Sequence, residues 1–208
     1  MQLSAPQARV VGSLIEKQLT TPQQYPLTAN ALLLACNQSS NRDPVMAYDD
    51  DTVTAALDEL RGLRLVRFVL PSHGRSVVRY RHVLDEELGV DGPELAVLAV
   101  LLMRGPQTVG ELRTRTERMA AFDSLSDVEA ALERLAGHEE PLAVRLPRRP
   151  GQKEERWAEL LQGPPTPADG PAPAEAPPAG RHDDIEALRA EVAELRREVE
   201  ALRDSLGG

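Results

Sequence analysis

The chain has 208 residues, a formal net charge of −9, and 41% apolar residues of which few are aromatic. That length suits two small domains or one of medium size, with cores built from Leu, Val and Ala. No apolar run reaches the ~18 residues that a membrane span needs, and the lone cysteine, Cys36, excludes an internal disulfide and fits a reducing compartment. The N-terminal MQLSAPQARV has neither the charged start nor the apolar centre of a signal peptide, so a cytoplasmic location is expected, with no membrane partner.

The first helix opens at Ser4. Ser4 and Gln7 form the S-x-x-Q of a capping box, and Pro6 sits in the first turn, where its missing N–H costs nothing. Val10, Val11, Leu14, Ile15 and Leu19 follow at helical spacing. TTPQQYP (Thr20–Pro26) breaks the helix, and a second one runs from about Thr28 to Cys36. A long polar connector, Asn37–Tyr48, leads to Asp49, Asp50 and Asp51, whose carboxylates suit the start of a third helix. Val53, Ala56, Leu57, Leu60 and Leu63 would make its buried face. LVRFVL (Leu65–Leu70) and SVVRY (Ser76–Tyr80) then read as strands joined by PSHGR, a hairpin with Gly74 at its turn.

The plan repeats. Asp91, Pro93 and Glu94 restate Ser4, Pro6 and Gln7 before a helix over Glu94–Met103, and Thr108 with Glu111 caps a helix reaching about Arg118. Ser126 and Glu129 read as the cap of a third helix. Its VEAALERL (Val128–Leu135) echoes VTAALDEL (Val53–Leu60). LAVRL (Leu142–Leu146) and ERWAEL (Glu155–Leu160) flank PRRPGQK as a second hairpin. Three matching helix starts in matching order indicate a duplication.

From Gly163 the chain becomes a Pro- and Ala-rich linker, expected to be disordered. Beyond it Ile185, Leu188, Val192, Leu195, Val199, Leu202 and Leu206 alternate spacings of three and four. β-Branched or aliphatic a positions with Leu at every d favour a parallel two-stranded coil, and Glu191 and Glu198 would face Arg196 and Arg203 of a partner helix. A helix folded back on its own body is the alternative.

The fold class expected is therefore mainly α with small β-hairpins (α+β): tandem winged helix-turn-helix domains plus a C-terminal coiled-coil helix. The domains expected are 1–85, 86–162, a linker over 163–183 and the coil over 184–206. The coil predicts a homodimer.

At Glu16–Met46 the residues resemble a known family. EKQ (Glu16–Gln18), TTP (Thr20–Pro22), QYPLT (Gln24–Thr28), ACNQ (Ala35–Gln38), NR (Asn41 and Arg42) and PVM (Pro44–Met46) are similar to the signature of the YceH family. The likeness continues through RGPQTVGELR (Arg104–Arg113) and VRLPRRPG (Val144–Gly151). It implies tandem winged helices in a dimeric bacterial cytoplasmic protein, and it implies no activity and no catalytic or binding residue.

The residues themselves offer little catalytic chemistry. His73, His82, His138 and His182 are scattered, and no metal-ligand spacing, Gly-rich phosphate loop or nucleophile motif is present. Cys36 on an apolar helix reads as a small core residue. Asp49–Asp51 could suggest a cation, but helix-start chemistry explains them. No enzyme, cofactor or metal is expected.

Duplex DNA is the natural partner of a winged helix. The outward stripe of the first repeat's third helix would be Thr54, Asp58 and Arg61, with Arg64 nearby. Its hairpin supplies Arg67, Arg75, Arg79 and Arg81, and the second hairpin Arg148, Arg149 and Lys153. The matching stripe of the second repeat is Glu129, Glu133 and Ala136, a poor surface for a polyanion. In the connector, Asn37, Gln38, Asn41 and Arg42 would either satisfy the backbone of an irregular loop or form a recognition surface. The charge is uneven: residues 1–85 hold nine Lys and Arg against eight Asp and Glu, and residues 86–162 ten against fifteen. Two readings stand. One is a non-enzymatic, homodimeric nucleic-acid-binding or regulatory factor. The other is a protein-interaction or scaffolding module that uses the same surfaces on another protein.

Overall fold

The computed structural model describes residues 2–70, 77–148 and 150–165. The described residues belong to one compact unit. The expected coil residues Ile185 to Leu206, most of the linker, Gly74, Arg75 and Arg149 lie outside the described residues.

Local chemistry sets the helix starts. Helix α1 (Ala5–Thr20) is capped by Ser4, whose N–H donates to Gln7 Oε1 at 2.7 Å while its hydroxyl accepts from the Gln7 N–H. A 3-10 turn at Pro22–Gln24 follows. Thr28 caps α2 (Ala29–Cys36), and Asp49 caps α3 (Asp50–Gly62) by accepting from the Thr52 N–H at 2.9 Å. Strands β1 (Val66–Val69) and β2 (Arg79–His82) pair antiparallel, with Phe68 opposite Tyr80. A short helix, α4 (Leu84–Leu88), ends on Gly89 in the left-handed region, where a residue without a Cβ fits at no cost.

The second repeat runs α5 (Gly92–Arg104), α6 (Val109–Thr116), α7 (Leu125–Ala136), β3 (Ala143–Leu146) and β4 (Arg156–Glu159). Capping boxes at Asp91 with Glu94 and at Thr108 with Glu111 stand where the sequence puts them. The molecule is thus mixed helix and strand, with two small antiparallel hairpins among the described residues.

Three local expectations need correction. Helix α7 is capped by Ser124 with Asp127, not by Ser126 with Glu129. Two Ser-x-x-acid patterns overlap there, and the earlier one nucleates the turn. Strand β2 is shifted toward the C-terminus of Ser76–Tyr80, because Leu27 bridges Tyr80 in both directions and Tyr25 Oη accepts from the His82 N–H at 2.7 Å. Leu63 is 38% exposed rather than buried, since α3 has already ended and Arg64 turns the chain at φ 62°.

The repeats match in geometry beyond their helices. Leu27 bridges β2 at Tyr80, and Gln107 bridges β4 at Trp157. Arg79 donates to the Pro26 carbonyl at 2.8 Å, and Arg156 to that of Pro106 at 2.9 Å. Gln7 of α1 donates to Glu59 of α3 at 2.6 Å; at the same place in the second repeat Arg134 of α7 donates to Glu94 of α5.

One core serves both repeats. Val10, Val11, Leu14 and Ile15 of α1 are buried in the same apolar cluster as Val97, Leu98, Leu101 and Leu102 of α5. The two helices approach closely at Gly12, where an added Cβ would lie 2.8 Å from Met103 Cγ and 3.3 Å from Leu102 Cβ.

Candidate nucleic-acid interface

Helix α3 buries Val53, Ala56, Leu57 and Leu60, so the 3.6-residue period turns Thr54, Asp58 and Arg61 outward, and all three are exposed. Arg61 lies 3.7 Å from Asp58 and places its guanidinium 4.6 Å over the Phe68 ring, which meets Tyr80 edge-on at 5.2 Å. The outward face of α3 is therefore continuous with the outward face of the first hairpin. Exposed Arg64 occupies the turn between them.

The hairpin arginines are less free than their sequence suggests. Arg67 and Arg81 stand opposite each other on β1 and β2, a repulsive pairing by itself. Glu86 of α4 resolves it, with one oxygen 3.1 Å from Arg67 and the other 3.1 Å from Arg81. Arg79 spends a nitrogen on the Pro26 carbonyl. In the second repeat Arg148 and Lys153 are exposed. Of the expected α7 stripe, Glu129 is exposed and Glu133 is held at 2.6 Å by Arg145, which also reaches Glu155 and lies over Trp157, while Ala136 is half-buried against the core.

The connector resolves into a buried polar network. The side chain of Asn37 donates to the Tyr48 carbonyl and accepts from the Tyr48 N–H, both at 2.8 Å. Arg42 has no exposed side-chain surface. It meets Glu16 at 2.6 and 3.2 Å and donates to the Ala35 carbonyl from Nε and Nη2. Gln38 accepts from Lys17 and Arg42, and Asn41 is exposed in a left-handed turn. Arg42 and Asn37 thus satisfy an irregular loop, and Arg42 is withdrawn from any recognition surface. Arg9, overlooked in the sequence, is also buried and donates to the carbonyls of Cys36, Pro44 and Met103. The Asp43 N–H joins the Met103 carbonyl at 3.0 Å. The connector is thereby fastened to the end of α5. Burial lowers the proton affinity of Arg9 and pushes the Cys36 thiol up, which suits a core thiol rather than a nucleophile.

His82, at the end of β2, counted in the sequence only as one of four scattered histidines, has a distinctive environment. It is buried, and neither ring nitrogen has a hydrogen-bond partner. Burial depresses its pKa to about 4, outweighing Asp85, whose carboxylate lies 3.5 Å away. Its ring is therefore neutral near pH 7, and the contact with Asp85 is not an ion pair there. Among the described residues no helix is long and apolar enough to cross a membrane.

Residues 3–152 match the model of the family described as "Protein of unknown function, DUF480". A UPF0502 protein of Geobacter metallireducens is 51% identical over 197 residues, covering 95% of this chain and 88% of that one. A UPF0502 protein of Pelobacter propionicus is 51% identical over 98% of this chain and 94% of its own. A third, from Chromobacterium violaceum, is 44% identical over the full chain and 93% of its own. The match spans the signature stretches from Glu16 to Arg113, and the chain belongs to the DUF480 family.

Proposed function

We propose that each repeat is a winged helix and that the protein is a non-enzymatic homodimer that binds duplex nucleic acid, as a regulatory factor. Support for the winged helix is the order helix, bridging residue, helix, helix, hairpin, with the bridging residue paired to the second strand in both repeats. The dimer rests on the heptads of residues 184–206.

The observation that carries the binding reading is the continuous outward face of Thr54, Arg61, Arg64 and the first hairpin, on the repeat whose charge is not acidic. A helix of this kind lies in the major groove, with the wing on the neighbouring backbone. The second repeat would contribute chiefly through its hairpin, at Arg148 and Lys153, with Arg113 and Arg118 also exposed near its second helix. The test is fluorescence anisotropy with generic duplex DNA at about 50 mM salt, followed by a salt titration. Binding that weakens steeply with salt is expected; none at low salt overturns the reading.

A second reading, a protein-interaction module, is favoured by the acidic outward face of α7 and by exposed Leu34, Val45 and Leu125. Co-purification from cells with and without nuclease separates the two. A companion released by nuclease supports nucleic acid, and a protein that survives nuclease supports the module.

A further inference from the structure

We propose that the junction of α5, α6 and β4 in the second repeat is a binding site for a phosphate monoester, held by Arg104, Arg115 and Arg156. The site lies outside the surfaces assigned above.

Glu111 of α6 is the carboxylate that Arg115 and Arg156 share, and Arg104 adds its charge beside Arg115. Its Oε2 accepts from Arg156 Nη1 at 2.8 Å and from the Thr108 N–H at 2.9 Å, and its Oε1 lies 3.7 Å from Arg115 Nη1. Glu111 is thus already committed to its helix cap. Arg115 Nη1 and Arg104 Nε are buried with no hydrogen-bond partner. Arg104 closes α5, and Gln107 fixes the turn after it by donating to the carbonyls of Arg104 and Pro106. Burial, and then the charge of Arg104, lower the proton affinity of Arg115; Glu111 opposes this, as does the more weakly acting Asp43. Three cations against Glu111 and the more weakly acting Asp43 leave positive charge in excess in a half-buried place, where imbalance is costly.

The first repeat shows what a closed version looks like. At the α2 positions equivalent to Glu111 and Arg115 stand Ala31 and Ala35, and the nearby arginine, Arg42, donates to the Ala35 carbonyl and pairs with Glu16. There Glu16 also has Lys17 at 3.7 Å, but every guanidinium nitrogen of Arg42 has a hydrogen-bond partner. The second repeat lacks the long connector that delivers such a partner, and Arg115 and Arg156 keep partly exposed side chains. A phosphate monoester carries a charge of about −1.5 to −2 near neutral pH and has oxygens enough for several planar guanidiniums.

The experiment follows the arginine Nε–Hε NMR signals of the full chain during titration with inorganic phosphate, with chloride at matched ionic strength as control. Saturable shifts of the Arg104, Arg115 and Arg156 signals are expected, and Arg115→Gln or Arg104→Gln should weaken the apparent affinity about tenfold, with Arg115→Lys retaining more. Unchanged Arg9 and Arg42 signals report that each variant is folded. Two further arms separate the source, a short oligonucleotide with a 5′-phosphate and the same oligonucleotide without it. Shifts with the phosphorylated oligonucleotide alone assign a nucleic-acid end, and shifts with free phosphate assign a small phosphate as sufficient. Equal shifts with both oligonucleotides overturn the monoester assignment, and no saturable shift with any probe overturns the site. Generic duplex binding through the first repeat is expected to survive Arg115→Gln, so failure here and failure of the DNA reading are read from different data.

Discussion

Arg42 meets Glu16 through two guanidinium nitrogens, at 2.6 and 3.2 Å, beneath the stretch of sequence that looks most like a recognition loop. The pair holds the connector down on α1, so its effect should be on stability. Removing one partner from a buried pair strands the other charge, which costs about 3–5 kcal/mol. Glu16→Gln or Arg42→Met should therefore lower the urea midpoint sharply. The double variant Glu16→Met with Arg42→Met should recover part of the loss. Additive losses in the two single variants and the double would show that the two residues act independently.

Acid should expose His82. Its folded pKa of about 4 lies below the ordinary 6.5, so the unfolded chain takes up a proton that the folded chain refuses. Stability is full above pH 6.5 and falls as pH drops toward 4, by up to about 3 kcal/mol from this residue. Tyr25, Arg81, Asp85 and Glu86 surround it, and Asp85 recovers some of the loss once the ring is charged. Urea unfolding at about pH 7 and about pH 4.5 should differ markedly for the natural chain and much less for His82→Phe. Equal slopes in both would remove His82 as the cause.

Helix starts were legible because capping is local. Ser4 with Gln7, Asp91 with Glu94, and Thr108 with Glu111 each lie within one turn, and each pair is made in the structure. The buried faces of α3 and α7 were legible for the same reason, since a period of 3.6 residues needs no distant partner. Ser124 and Ser126 were confused because both open a plausible first turn. Helix α4 left no signal at all: it has five residues and no side-chain cap. That hid Glu86, because it acts on Arg67 and Arg81 only after the hairpin closes. Arg42 was ambiguous because burial depends on Glu16, 26 residues earlier, and no local pattern links them.

Glu86 gives a direct handle on the binding reading. Glu86→Gln should free Arg67 and Arg81 for phosphates. Affinity for duplex DNA should then rise, and the plot of log affinity against log salt should steepen by about one to two. Arg67→Ala should reverse both changes. An unaltered slope in Glu86→Gln would place these arginines outside the contact.

The heptads of residues 184–206 predict that the chain shortened after Pro165 loses its dimer contact. Light scattering should then give a monomer mass for the shortened chain and twice the chain mass for the full one. A shortened chain that stays dimeric would assign the contact to the folded body.

Gly12 bears on how the repeats stay together. Leu in its place would drive a side chain into Met103, Leu102 and the Ala99 carbonyl, and should cost about 1–3 kcal/mol despite a better helix former in α1. The close crossing of α1 and α5 also means that neither repeat owns a complete interior. Severed from the other, each would present a bare oily stripe to water: Val10, Val11 and Leu14 on one side, Val97, Leu98 and Leu101 on the other. The repeats should therefore melt in a single transition. The halves are free to differ in what they touch outside, but neither can be removed without stripping the other of its interior.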